Sequence, residues 1–264
     1  MNCDNNNKNW LLNCLLVLML LACARGEALG APGRQELQEM RTLATVTTTN
    51  VLLYYNVNGI PYEADNIEAF THNLNRLGEL STQTGDAALT EQIRRLVAAV
   101  SDLKNLPQNK ASVRSVLPAY QLWLPSLIEA HLNLDKLLSE RYERAPEVAQ
   151  VQGLLHGLSH DVGRMLLSSQ MASFPNFGGV LWILDEQALA VLDADIERRF
   201  AELPGLDSDL ATVLKVSLRD YRFVRQHLLN PYGNWAPNAV ALYLVKTLSA
   251  LDSEGRRLGG DQSR

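Results

Sequence analysis

Apolar residues recur at three- and four-residue intervals along the chain from Gln35 onward, and glycine and proline fall between these runs. This spacing places the apolar side chains on one face and is typical of amphipathic α-helices. No segment of useful length alternates between apolar and polar residues as a strand would. The pattern predicts an all-α protein with about eight helices, near residues 35–58, 67–84, 89–106, 112–142, 147–173, 180–203, 208–229 and 237–257. Pro118 and Pro125 are expected to start or kink the fourth helix.

The eight predicted helices fall into two similar sets of four. Residues 51–53 correspond to residues 165–167, and in both sets the helix then ends at a turn that contains glycine and proline. We therefore predict either two tandem antiparallel halves that resemble four-helix bundles, at 35–145 and 146–257, or one long bundle with a pseudo-repeat. A groove between two such halves is a natural place for a ligand. Residues 258–264 are predicted to form a disordered tail.

The N-terminus follows a different pattern. Residues 11–22 are apolar except for Asn13, and this run is too short to span a bilayer, so residues 1–22 are predicted to be a secretory signal peptide. The sequence Leu20-Leu21-Ala22-Cys23 resembles the bacterial lipobox, which implies acylation of Cys23 and a linker over residues 23–34. There are two alternatives. Cleavage of the A-x-A type before residue 25 would release a free protein, or the segment could remain as an uncleaved anchor.

The predicted location follows from this signal. A lipidated Cys23 followed by Ala24 resembles lipoproteins sorted to the outer membrane of Gram-negative bacteria. We therefore expect an exported protein on the periplasmic face of the outer membrane, or alternatively a soluble periplasmic or secreted one. The membrane is then one partner, bound through the acylated cysteine.

Composition excludes several classes of function. The three cysteines, Cys3, Cys14 and Cys23, lie in or beside the signal, so the body has no disulfide framework, thiolate nucleophile or cysteine-rich metal site. The net charge is −5 without a basic block, which argues against nucleic acid as a partner. No G-x-S-x-G elbow or glycine-rich phosphate loop occurs, so we expect no catalytic residues, no cofactor and no enzymatic activity.

Two groups of polar side chains are weaker candidates for chemistry. His156 and His160 are four residues apart and can project from one helix face toward a metal. Two ligands do not make a site, and the alternative is a pair of surface or partly buried histidines. The carboxylates between Asp193 and Arg199 are expected to form a solvent-exposed helix face.

The segment from Asp161 to Ala172, with the sequence DVGRMLLSSQMA, carries the most specific signal. It resembles a helix of the periplasmic sensor domains of type IV pilus methyl-accepting transducers and, more distantly, of nitrate-sensing histidine kinases. The resemblance implies a helical bundle in which Arg164 meets a small anion, with Gln170 as a weaker neighbour. A guanidinium can supply paired donors to a planar anion. Alternatively, Arg164 only extends from an amphipathic helix into water.

These observations predict a non-enzymatic accessory sensor or small-ligand-binding module. The alternative is a structural or assembly lipoprotein that docks on a cell-envelope complex through apolar helix faces. An exposed patch formed by Trp182, Tyr232 and Trp235 would favour that alternative.

Overall fold

The computed structural model describes residues 32–55, 65–104, 122–172, 174, 184–230 and 236–261. The α-helices of this part are α1 (Arg34–Tyr54), α2 (Asp65–Thr84), α3 (Ala87–Lys104), α4 (Leu124–Arg144), α5 (Gln150–Met171), α6 (Glu186–Leu206), α7 (Ala211–Leu229) and α8 (Pro237–Asp261), with a 3-10 turn at Ser208–Leu210 before α7. The described residues contain eight α-helices and no strand, which confirms the predicted all-α class. No helix among these residues is long and apolar enough to cross a membrane.

Local capping moves several helix ends from their predicted positions. α1 ends at Tyr54 because Tyr55 has an extended backbone, with φ −96° and ψ 94°. The fourth helix begins only at Leu124, with Pro125 in its first turn, where the missing N–H of proline costs no helical hydrogen bond. Residues 112–121 of the predicted helix lie outside the described residues.

Two later helices also differ from the prediction. α6 begins at residue 186, after its predicted start, because the Asp185 side chain caps it and accepts a hydrogen bond from the Ala188 backbone N–H at 2.7 Å. α8 continues to Asp261, so the tail predicted from residue 258 begins as helix. Leu258 packs against the buried residues beneath it, which favours this extension.

The helices make contacts in two closed circuits. In the first, each of α1 to α4 contacts the next and α4 contacts α1; in the second, α5 to α8 do the same. The two circuits meet where α1 packs against α5 and α8. The predicted boundary at residues 145 and 146 falls in the connection between α4 and α5. Whether the sequence arose by duplication stays a prediction.

Each half of the protein contributes a few side chains to the hydrophobic core of the other half. Met171 and Phe174, at and just beyond the end of α5, pack in the core formed by α1 to α4. Val46 of α1 packs in the core formed by α5 to α8. The halves are therefore joined by shared packing as well as by the chain.

α1 is the central helix and is buried on most of its circumference. Thirteen of its 21 residues are buried, including the run from Thr45 to Asn50, which is polar except for Val46. α5 approaches α1 closely at Gly163, where an added Cβ would lie 3.3 Å from Thr45 Cγ2. A small residue at this position therefore allows α1 and α5 to pack closely.

Candidate functional site

Arg164 faces solvent from the second half of α5, where most other residues are buried. It is the only exposed residue from Asp161 to Met171. Its side chain borders a cleft of about 510 Å³ between α5 and the first half of α6. The lining residues are Asp161, Arg164, Asp185, Gln187, Ala188, Val191, Leu192, Asp195 and Arg199.

Most charged groups in this cleft already have close partners. Asp161 accepts a hydrogen bond from Arg199 Nη1. Asp185 caps α6, and Asp195 accepts from Arg198 Nη2 at 3.1 Å. The Arg164 guanidinium is held much more loosely, because its Nη1 lies 3.5 Å from Asp161 Oδ1. Its side chain is 47% exposed and lines the cleft.

The charge balance of the cleft restricts what it can bind. Three aspartates and two arginines line it. Arg164 can donate two parallel hydrogen bonds to a carboxylate or a similar planar anion. The excess of carboxylates disfavours ligands with several negative charges. The cleft therefore fits a small monoanion, or a zwitterion whose positive end meets an aspartate.

Gln170 lies elsewhere. Its side chain is buried, and Nε2 donates to the Pro237 backbone carbonyl at 3.1 Å. This hydrogen bond ties the C-terminal end of α5 to the start of α8. The structure does not bring Gln170 together with Arg164 in the cleft.

The two histidines of α5 have different partners. His156 is buried: its Nδ1 lies 2.9 Å from the Tyr142 hydroxyl and its Nε2 lies 3.0 Å from Gln35 Oε1. Burial, helped by Arg41 and Arg34, lowers the pKa of His156 to about 4. His160 instead contacts Asp135 Oδ1 at 3.2 Å. No cluster of three or more potential metal ligands occurs within the described ranges.

The prediction of a solvent-exposed helix face from Asp193 to Arg199 is wrong for Asp193. Asp193 is buried, and its Oδ1 accepts hydrogen bonds from the Tyr221 hydroxyl and from Arg225 Nε, both at 2.8 Å. Its partners belong to α7, about thirty residues further along the chain. A carboxylate that joins two helices in this way is structural, whereas the side chain of Asp195 on the same helix is 45% exposed.

Sequence reasoning also missed a buried polar cluster where α1, α5 and α8 meet. The Ser159 hydroxyl donates to Asp252 Oδ1 at 2.7 Å and lies 3.5 Å from Thr42 Oγ1. Gln38 Nε2 donates to Thr42 Oγ1 at 3.3 Å. The sequence feature that could have indicated this cluster is the number of polar side chains in α1. They lie on helix faces where an amphipathic pattern would place apolar residues.

Comparisons with protein-family models, with curated proteins and with solved structures found no match. The candidate site therefore depends on the geometry described above. Cys23, the signal segment and the three residues of the predicted aromatic patch, Trp182, Tyr232 and Trp235, lie outside the described residues.

Proposed function

We propose that this chain is an exported, membrane-anchored and non-enzymatic protein that acts as an accessory sensor or small-ligand-binding module. Its site is the Arg164 cleft, and its place is the periplasmic face of the outer membrane. The observation that supports the site best is the loosely held guanidinium of Arg164, exposed at the border of a cleft of about 510 Å³. The lipobox-like sequence before Cys23 supports the location.

The ligand we propose is a small planar monoanion, such as nitrate, nitrite or a short carboxylate. Arg164 supplies paired donors, and the Asp161 side chain keeps the guanidinium near the cleft without enclosing it. Because Asp161 is itself held by Arg199, a ligand that takes over the Arg164 donors leaves no carboxylate of the cleft without a partner.

Thermal unfolding of the body from residue 24 onward, with and without each anion, tests this proposal. A ligand present at about 100 times its Kd stabilises the folded protein by about 2.7 kcal/mol, which raises Tm by several degrees. We expect this shift in the wild type and its loss in Arg164→Ala. Arg94→Ala is the matched control, because Arg94 is an exposed arginine of α3 that pairs with an acidic residue three positions away, as Arg164 does, and does not line the cleft. The proposal is abandoned if millimolar anions produce no shift, or the same shift in Arg164→Ala.

A second candidate function is docking on a cell-envelope complex as a structural or assembly lipoprotein. The large apolar side chains of Phe223 on α7 and Leu242 on α8 are 61% and 69% exposed. Phe223 packs against Tyr243, with 4.7 Å between the ring centroids. Co-purification of one envelope complex by the wild type, with loss of that complex in Phe223→Ser/Leu242→Ser, would favour this function over the sensor.

A further inference from the structure

A second recess lies away from the Arg164 cleft. It is a groove of about 540 Å³ between α1, α2 and α8, whereas the Arg164 cleft lies between α5 and α6. Its lining residues are Glu39, Thr42, Leu43, Val46, His72, Asn73, Arg76, Val245, Ser249, Asp252 and Arg256. The groove thus combines aliphatic side chains with a buried carboxylate and with arginines.

Asp252 is the unusual member of this groove. It is only 4% exposed, and the Ser159 hydroxyl donates to its Oδ1 at 2.7 Å. No basic side chain in the described part of the chain lies within ion-pair distance of it. Arg256, one turn further along α8, lies 4.0 Å from Glu39 Oε2 instead. Buried carboxylates are normally paired with a cation, because removing their charge from water is costly.

Gln38, whose side chain lies beside the Asp252 carboxylate, provides a second sign. This residue is fully buried and donates to Thr42, which lines the groove. Its Oε1 is buried without a hydrogen-bond donor among the described residues. A buried acceptor without a donor destabilises the folded state. The same corner of the protein therefore holds a carboxylate without a cation and an amide oxygen without a donor.

We propose that this groove binds a small molecule with a primary ammonium group, either an aliphatic amine or an aliphatic amino acid. The ammonium has three donors and a positive charge, which match Asp252 and the Gln38 amide oxygen. The aliphatic part of the ligand packs against Leu43, Val46 and Val245. An amino acid would also place its carboxylate toward Arg256.

Calorimetric titration and thermal unfolding at pH 8 test this inference, with butylamine, leucine and butanol as probes. Burial raises the pKa of Asp252 to about 6, so at pH 8 its carboxylate and the amine are both charged. We expect butylamine or leucine to raise Tm at millimolar concentration, and butanol, which has the same aliphatic part but no ammonium group, to have no effect. Asp252→Asn should weaken ammonium binding about tenfold or more, since it removes a charge-assisted hydrogen bond.

Ser249→Trp tests the groove separately in case Asp252→Asn folds poorly. Ser249 is exposed and lines the groove, so a tryptophan there fills the space without changing the hydrogen bonds of Asp252. Ser253→Ala, at a nearby exposed position, is the control and should bind as the wild type does.

The outcomes separate the two ligand sources and the two sites. Tighter binding of leucine than of butylamine supports an amino acid held by Arg256, and equal binding supports an amine. The inference is overturned if no ammonium compound raises Tm, or if each raises it equally in the wild type and Ser249→Trp. Butylamine and butanol carry no anionic group for Arg164, so their results are independent of the Arg164 cleft. Leucine is also titrated into Arg164→Ala, which should bind it in the groove as the wild type does.

Discussion

Asp252→Asn should change how the stability of the protein depends on pH. The unfolded chain has an aspartate pKa near 3.9. In the folded protein burial raises the pKa of Asp252 to about 6, against a smaller lowering by the side chains of Thr42, Ser159 and Gln38. Between these two values the folded protein binds more protons than the unfolded chain. Its free energy of unfolding therefore falls as the pH rises from about 4 to about 6.

The size of this effect follows from the pKa difference. A change of about two units corresponds to about 3 kcal/mol, at 1.36 kcal/mol for each unit. Asparagine has nearly the same shape and its Oδ1 can accept the Ser159 hydrogen bond, but it does not titrate. The free energy of unfolding of Asp252→Asn, relative to the wild type, should therefore rise by about 2 kcal/mol between pH 4 and pH 7. This is less than the full effect, because at pH 4 the unfolded aspartate is already about half ionised.

Urea unfolding of both proteins at pH 4 and pH 7, followed by circular dichroism, measures this change. The other titratable and charged groups are common to both proteins, so their contributions to the pH dependence cancel to first order when the two free energies of unfolding are subtracted. Those around the groove and cluster are Glu39, His72, Arg76, His156 and Arg256. Asp209→Asn, at an exposed position, is the control and should show no comparable change. A difference between the wild type and the Asp252→Asn variant that stays constant within about 0.5 kcal/mol would refute the reasoning about burial.

Three further predictions concern packing, hydrogen bonding and acid stability. Gly163→Ala should lower the free energy of unfolding by about 1 to 3 kcal/mol in thermal unfolding, because the added Cβ would press on α1. Gly205→Ala is the control: its Cβ would point into open space, so this variant should be neutral or stabilising. Tyr221→Phe should cost about 1 to 3 kcal/mol in urea unfolding, because buried Asp193 loses a donor at 2.8 Å, and a cost below about 0.5 kcal/mol would contradict this. The pKa of His156 is lowered to about 4, so the wild type loses stability as the pH falls from about 6.5 to 4. His156→Gln should weaken this pH dependence in acid-unfolding curves. An unchanged dependence would exclude His156 as its source.

The helices could be predicted because their apolar spacing is a local property. Leu37, Met40 and Ala44 of α1 are buried, as the three- and four-residue intervals require. Helix ends were less predictable, since the start of α6 depends on the cap that Asp185 provides. Arg164 could be singled out because it is the one charged residue in the run from residue 162 to residue 172.

The burial of carboxylates could not be predicted from local sequence. Asp193 and Asp252 lie in helices whose neighbouring residues include exposed charged groups, and nothing near them in sequence identifies their partners. Arg225 is 32 residues from Asp193, and Ser159 is 93 residues from Asp252. Only the packing of α6 on α7, and of α5 on α8, brings these groups together. The Arg164 cleft could be predicted only in part. The sequence identifies Arg164, but its neighbours from α6 are brought to it only by helix packing.

The central position of α1 also sets the order in which the chain can finish folding. Among the described helices α1 is synthesised first and α8 last, yet the two pack together. Gln35 of α1 contacts Gln152 of α5, and Gln152 in turn donates to the Gly255 carbonyl of α8. The hydrogen bonds that join Gln35, Gln152 and Gly255 can therefore be complete only after α8 has been made. For a protein exported as we propose, this delay would keep the nascent chain unfolded enough to pass through a secretion channel before it folds.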